Sequence, residues 1–265
     1  MAEVRFALDE SHAGHTGTLD PGATGLLVIA LGKACRLMPF MEGHDKEYEF
    51  TVRLGVRTET DDAAGKILEE RDASGVTRAR LDEALKSFAG PIRQRPPDFS
   101  AVKVEGRRAY QLARRGRKPD LTERDVVIQA MEVVRFAAPR IDLRVRCSKG
   151  TYVRSIARDL GDALGVGGSV EALRRTVAGP FRVTDAVRLG DASAGQLKAA
   201  VRPPDVGIGH LPRIDVDPDG AAKFRCGQVL QLPLADPAAR VYHDGRLIGI
   251  AEPREGLLKA HLVIA

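Results

Sequence analysis

Tryptophan is absent from this 265-residue chain, and four tyrosines and eight phenylalanines are its other large rings. Any flat side chain in a binding site is therefore one of very few. Cysteine is nearly as scarce. Cys35, Cys147 and Cys226 are odd in number and far apart, which excludes a disulfide framework and the paired Cys spacing of a zinc site. No apolar run is long enough to span a bilayer, so no membrane partner is expected. The opening "MAEVRFALDE", with its acidic residues, is not a signal peptide. The expected setting is a reducing cytoplasm. Internal repeats and low-complexity tracts are missing as well.

What is present suits an ordinary globular protein: 43% of residues are hydrophobic and 29% charged, enough for a sizeable core. The net charge of +5 is unevenly placed. Between Pro91 and Lys118 stand Arg93, Arg95, Lys103, Arg107, Arg108, Arg114, Arg115, Arg117 and Lys118, opposed only by Asp98 and Glu105. That segment is strongly cationic and the remainder slightly acidic. So one-sided a run points to a polyanion partner rather than a merely solvated hairpin. In "GRRAYQLARRGRK", Arg107 and Arg114 are seven apart, as are Arg108 and Arg115. On a helix each pair would stack into one basic stripe.

Alternation in "EYEFTVRLGV", through Tyr48, Phe50, Val52 and Leu54, predicts a half-buried strand. The continuous run "LLVIALG" predicts a buried one, and "VVIQAMEVVRF" and "RIDLRVRCS" are also strand-like. "TRARLDEALKSFAG" predicts a helix stopped by Gly90. "TYVRSIARDLGDALG" predicts another, with Val153, Ile156, Ala157, Leu160 and Leu164 on one face, Thr151 as N-cap and Gly165 at its end. Without regular βαβ spacing, the fold class is α+β, a mixed sheet flanked by helices. "RPPDVGIGHLPR" has the composition of a linker. After it come short strands with a hairpin signal at Asp244-Gly245, which predict a small all-β module. The expected domains are 1–210 and 211–265.

Chemistry-bearing motifs are few. Gly25 and Gly32-Lys33 have the wrong spacing for a phosphate loop, and Ala34 stands where a magnesium-binding hydroxyl is required. His12 and His15 form H-x-x-H without a third ligand, so no metal is expected. The stretch "GHTGTLDPGATGLL" instead isolates one carboxylate, Asp20, directly before Pro21. Proline keeps Asp20 out of helical backbone, and Gly17 and Gly22 would permit tight turns on either side. Such a backbone can present a nucleophile or base at a fixed angle. On local chemistry alone, an Asx-turn or a helix cap is the commoner role for an aspartate among glycines.

The longer string "GHTGTLDPGATGLLVIALGKA" resembles the aspartate motif of the TruB family of pseudouridine synthases. "DKEYEFTVRLGVRTETDDAAG", "PPDFSAVKVEGRRAYQLARRG", "CSKGTYVRSIARDLGDALG" and "LRRTVAGPF" resemble that family's successive blocks, in order, over nearly the whole chain. The resemblance implies a pseudouridine synthase fold with a mostly antiparallel sheet, a thumb-like insertion at 91–125 and a small PUA-like C-terminal domain. It implies isomerisation of uridine-55 in the T-loop of tRNA, with no cofactor, no metal and no obligatory protein partner. Asp20 matches the catalytic carboxylate, Tyr48 the active-site tyrosine, and Tyr152 and Arg154 the "KGTYxR" pair whose guanidinium meets the aspartate. Leu173 matches the apolar pocket floor and His15 the histidine that helps open the T-loop. Lys149, Lys103, Arg107, Arg108, Arg114 and Arg115 become expected RNA contacts. The other readings are a guide-RNA-dependent synthase of the archaeal-eukaryotic branch and a non-catalytic tRNA-folding protein.

The chain departs from the family pattern in two places. The usual strand and "DKPxGxTS" segment do not precede the aspartate motif, so the expectation is either a start upstream of Met1 or a shortened sheet. Gly22 replaces a bulkier residue, a change expected to be tolerated.

Overall fold

The computed structural model describes residues 1–104 and 106–264. Glu105 of the basic segment and Ala265 of the C-terminal module lie outside the described residues. The chain divides into two compact units, one of residues 1–18, 27–42 and 186–265, the other of residues 19–26 and 43–185.

The second unit is built on β1 (Lys46–Leu54), β2 (Gly90–Gln94), β3 (Arg124–Ala137), β4 (Arg140–Cys147) and β5 (Gly168–Ala178). They lie in the order β5-β1-β4-β3-β2, every neighbour antiparallel. Phe181–Arg182 extends the sheet beyond β5, and the two-residue strand Thr24–Gly25 joins β5 in parallel. This is the mixed, mostly antiparallel sheet expected from the sequence. In β1 the alternation holds: Tyr48, Phe50, Val52 and Leu54 are buried, and the residues between them are half-buried.

Two helices meet that apolar face. α1 (Arg78–Leu85) starts at Thr77, whose hydroxyl accepts from the Arg80 amide, and a 3-10 turn carries it to Phe88. α2 (Val153–Ala163) inserts Val153, Ile156, Ala157 and Leu160 into the core. Its N-cap is Tyr152, not Thr151. The Thr151 hydroxyl donates back to the Ser148 carbonyl, which tightens the preceding turn. Gly165 at φ +79° ends the helix as expected.

β2 and β3 are neighbours paired at Gln94 and Arg124, so residues 95–123 form an excursion between adjacent strands. Here the structure corrects the sequence. Arg107 and Arg108 pair with Val104 and Lys103 in a two-residue ribbon, and the helix spans only Ala109–Ala113. Arg107 and Arg108 are extended and precede the helix, while Arg114 and Arg115 follow its last turn, so no single helical stripe forms; Gly106 and Gly116, both at positive φ, flank the stretch.

In the first unit, "LLVIALG" contributes Val28–Leu31, paired with Ala13–Thr16; only Ala30 of the strand is fully buried. A five-stranded sheet has the order Arg213–Asp215, Ala239–His243, Arg246–Arg254, Leu257–Val263, Val229–Pro233. Asp244 and Gly245, both at positive φ, turn the expected hairpin, and Glu255-Gly256 turn a second. The module is not all-β. Pro218–Arg225 is a helix capped by Asp217, and its Phe224 is wholly buried. Nor is "RPPDVGIGHLPR" a free linker, since Ile208 is buried with Leu37, Met41, Ile250 and Leu262. Among the described residues no helix is long and apolar enough to cross a membrane.

Candidate active site

The glycine-rich stretch folds around Asp20. The Ala23 amide donates to the Asp20 carbonyl at 2.9 Å, closing a turn with Pro21 and Gly22 at its centre. Gly17 takes positive φ as the tight-turn reading requires; the other such glycine of the stretch is Gly25 at +96°, not Gly22. Beyond the turn the loop is pinned to β5. The Leu26 amide donates to the Arg175 carbonyl at 2.8 Å, and Thr24 and Gly25 pair with Arg174 and Arg175.

Arg154, in the first turn of α2, reaches this loop. Its Nε and Nη2 donate to Oδ2 and Oδ1 of Asp20, both at 2.8 Å, in a bidentate fork. Nη1 also donates to the Thr60 carbonyl at 2.9 Å and Nη2 to the Phe99 carbonyl at 3.1 Å. Asp62 stands 3.6 Å away and accepts from the Thr60 hydroxyl. The Arg154 side chain is 5% exposed and that of Asp20 32%, so the cation is sealed in while the carboxylate keeps an open side. The nearby carboxylates are taken elsewhere: Asp159 pairs with Arg158, and Glu171 with Arg140.

Tyr48 lies on β1 within the electrostatic reach of Asp20. Burial raises its phenol above the ordinary tyrosine range, although the Arg175 guanidinium, which hydrogen-bonds it, pulls the other way. Tyr152 is half-buried, and Gln94 grips its backbone through both peptide groups, at 2.8 and 3.1 Å. Leu173 sits opposite Phe50 at the edge of the core. Lys149, Lys103, Arg107, Arg108, Arg114 and Arg115 are all exposed. Arg108 also donates to the Ala101 carbonyl, and Arg114 lies over the Tyr110 ring at 5.4 Å. His15 belongs to the other unit, where its Nδ1 is buried without a hydrogen-bond partner. Among the described residues no cluster of His, Cys, Asp or Glu could hold a metal ion.

Sequence reasoning missed Arg175, Gln94 and the Thr60–Asp62 segment. Arg175 is 1% exposed and donates through Nε to the Leu26 carbonyl, so one side chain ties the end of the Asp20 loop to Tyr48. A signal was available: Arg175 is two residues from Leu173 on a strand and so shares its face.

Three family models match the chain. The TruB family pseudouridylate synthase (N terminal domain) matches residues 5–153, the tRNA pseudouridylate synthase B C-terminal domain residues 154–205, and Pseudouridine synthase II TruB, C-terminal, residues 212–264. A protein of Cereibacter sphaeroides named tRNA pseudouridine synthase B is 46% identical over 230 residues, covering 85% of this chain and 76% of its own. One of Synechococcus elongatus with the same name is 40% identical over 277 residues, covering 100% and 92%. In fold the chain is similar to a solved Cbf5-Nop10-Gar1 complex, with a TM-score of 0.74 and 24% identity over 100% of this chain and 80% of that one. It is also similar to an H/ACA RNP bound to a substrate RNA containing 2′-deoxyuridine, with a TM-score of 0.73, 21% identity and the same coverage.

Proposed function

The chain belongs to the TruB family of pseudouridylate synthases, and on that premise we propose that it isomerises uridine-55 in the T-loop of tRNA to pseudouridine. The forked pair between Asp20 and Arg154 carries this reading, because it holds a single carboxylate at a fixed angle with one side open. The target uridine is stacked in a folded loop and must be turned out to reach that carboxylate.

The reaction breaks the N1–C1′ bond, turns the uracil and joins C5 to C1′; the C5 proton is lost and N1 gains one. Two routes start from a carboxylate at this place. Asp20 attacks C1′ and is later displaced, or it removes the C2′ proton to give a glycal. In both, Arg154 holds the carboxylate in one rotamer, which limits the motion lost on reaching the transition state. Tyr48, kept a neutral phenol by burial, holds the free uracil while it turns. Tyr152 and Leu173 supply apolar surface to the base, and Lys149 meets the backbone beside it.

The exposed cations of residues 91–125 act as a thumb on the phosphates of the T-arm, positioning without reading sequence. His15 helps part the loop. The protein works in the cytoplasm without guide RNA or partner protein. Residues 1–210 form the catalytic domain in this reading, and 211–265 a PUA-like appendage. The test is tritium release from C5-labelled uridine in a T-arm stem-loop, with no added RNA or protein. Wild type releases tritium; Asp20→Asn releases none yet binds the stem-loop nearly as well. Normal turnover by Asp20→Asn overturns the assignment.

A further inference from the structure

One helical turn beyond Arg154, on the same face of α2, stands a second inward arginine. Arg158 Nη1 donates to Asp61 Oδ2 at 3.1 Å, Nη2 to the Arg95 carbonyl at 2.9 Å, and Nε to its neighbour Asp159 at 2.8 Å. The two arginines thus repeat one pattern. Arg154 bonds the carbonyls of Thr60 and Phe99; Arg158 bonds Asp61 and the carbonyl of Arg95. Each ties the 59–65 loop to residues 95–99, where the chain leaves β2 for the basic excursion. Ser155, between them, donates to the same Arg95 carbonyl at 2.8 Å.

The 59–65 loop is itself sharply specified. Asp61 takes φ +58°, a left-handed conformation uncommon outside glycine, and its carbonyl accepts from the Val170 amide of β5. The next residue is Asp62, which faces Arg154. Asp61 is therefore the hinge of the segment that encloses the Arg154 guanidinium.

We propose that Arg158 is a positioning residue: with Asp61 it clamps the 59–65 loop and the root of the basic excursion to α2, and so fixes the fork of Arg154 on Asp20. This rests on the pseudouridine synthase reading above. A purely stabilising role fits the pair less well. Burial outweighs the attraction of Arg158 and holds the Asp61 carboxyl up to about 6, and a desolvated ion pair of this kind adds little to stability. Its geometric effect is what the fold retains.

The test measures single-turnover tritium release at saturating enzyme, stem-loop affinity and thermal stability for wild type, Arg158→Met, Arg158→Lys and Asp61→Asn. A misplacement of the Arg154 fork lowers the Arg158→Met rate constant by about tenfold to a hundredfold, with affinity changed less than about threefold. Arg158→Lys, which keeps a charge facing Asp61 but not the three-way fork, recovers part of that loss. Asp61→Asn combined with Arg158→Met costs no more than Arg158→Met alone. Three results overturn the clamp: a folded Arg158→Met that turns over like wild type, a rate loss recovered in full on cooling the variant below its melting transition, or losses in the double variant that simply multiply. An inactive wild type instead refutes the reading of the site.

Discussion

A β-carbon on Gly25 would lie 2.2 Å from the carbonyl oxygen of Arg175. The Asp20 loop is docked backbone to backbone against β5, at a distance that only glycine permits. Gly25→Ala meets both that clash and a φ of +96°. It costs roughly 1–3 kcal/mol of local strain and lowers turnover by about tenfold or more. Gly22 is the opposite case, with nothing within 4 Å of its added carbon and no positive φ. Gly22→Ala gains about 0.4–1 kcal/mol by restricting the unfolded chain and keeps wild-type turnover. Paired melts and tritium-release assays distinguish the two glycines.

Arg154→Lys keeps a charge and loses the fork. A lysine cannot serve both oxygens of Asp20 and two carbonyls at once, so kcat/KM falls about a hundredfold through poorer orientation. The unpartnered Thr60 and Phe99 carbonyls lower stability by about 1–3 kcal/mol, readable in denaturant titrations.

The pH dependence of stability carries the mark of Asp61. Its folded carboxyl, at about 6, lies above the ordinary 3.8, so the folded chain holds the proton more tightly. The charged groups acting on it are Arg158, Arg154 and Asp159, all on α2, with Asp62 next to it in the loop. The contribution is full below pH 3.8 and is lost as pH rises through 6. Asp61→Asn removes that slope. The difference in melting temperature between variant and wild type therefore changes between about pH 4 and 6.5 and is constant above. A difference flat across the whole range contradicts the assignment.

Affinity for the T-arm stem-loop falls steeply with salt, because the cations of the excursion displace counterions from phosphates. Alanine at Arg107 or Arg115 reduces the slope of log affinity against log salt by about one for each phosphate left without its cation. The single-turnover rate at saturation is unchanged. An affinity indifferent to salt would falsify the thumb.

Much of this site was legible in the sequence because its parts are local. Alternation placed Tyr48 on a buried strand face, and helical spacing placed Arg154 at the start of α2. Pro21 and Gly17 announced the turn around Asp20. Contacts between distant segments were not legible. No local pattern says that Gln94 grips the Tyr152 backbone or that Arg175 meets Leu26 and Tyr48, since each joins elements far apart in the chain. The failed readings have a common cause. Seven-residue spacing suggested a helix through Arg107 and Arg114, yet Arg107 and Arg108 lie in a short ribbon and the helix starts only at Ala109. Proline-rich composition suggested a linker around Ile208, yet one apolar side chain is enough to anchor it.

The pairing of Gln94 with Arg124 brings both ends of the excursion to adjacent positions on one sheet. Lengthening or trimming a segment so anchored costs little closure entropy and leaves the strands on either side where they were. The bonds from α2 to Arg95 and Phe99 mark how far that freedom extends. Outward of Ser100 the hairpin can change in length without touching these bonds; inward of it, the chain is tied to the helix whose Arg154 holds Asp20.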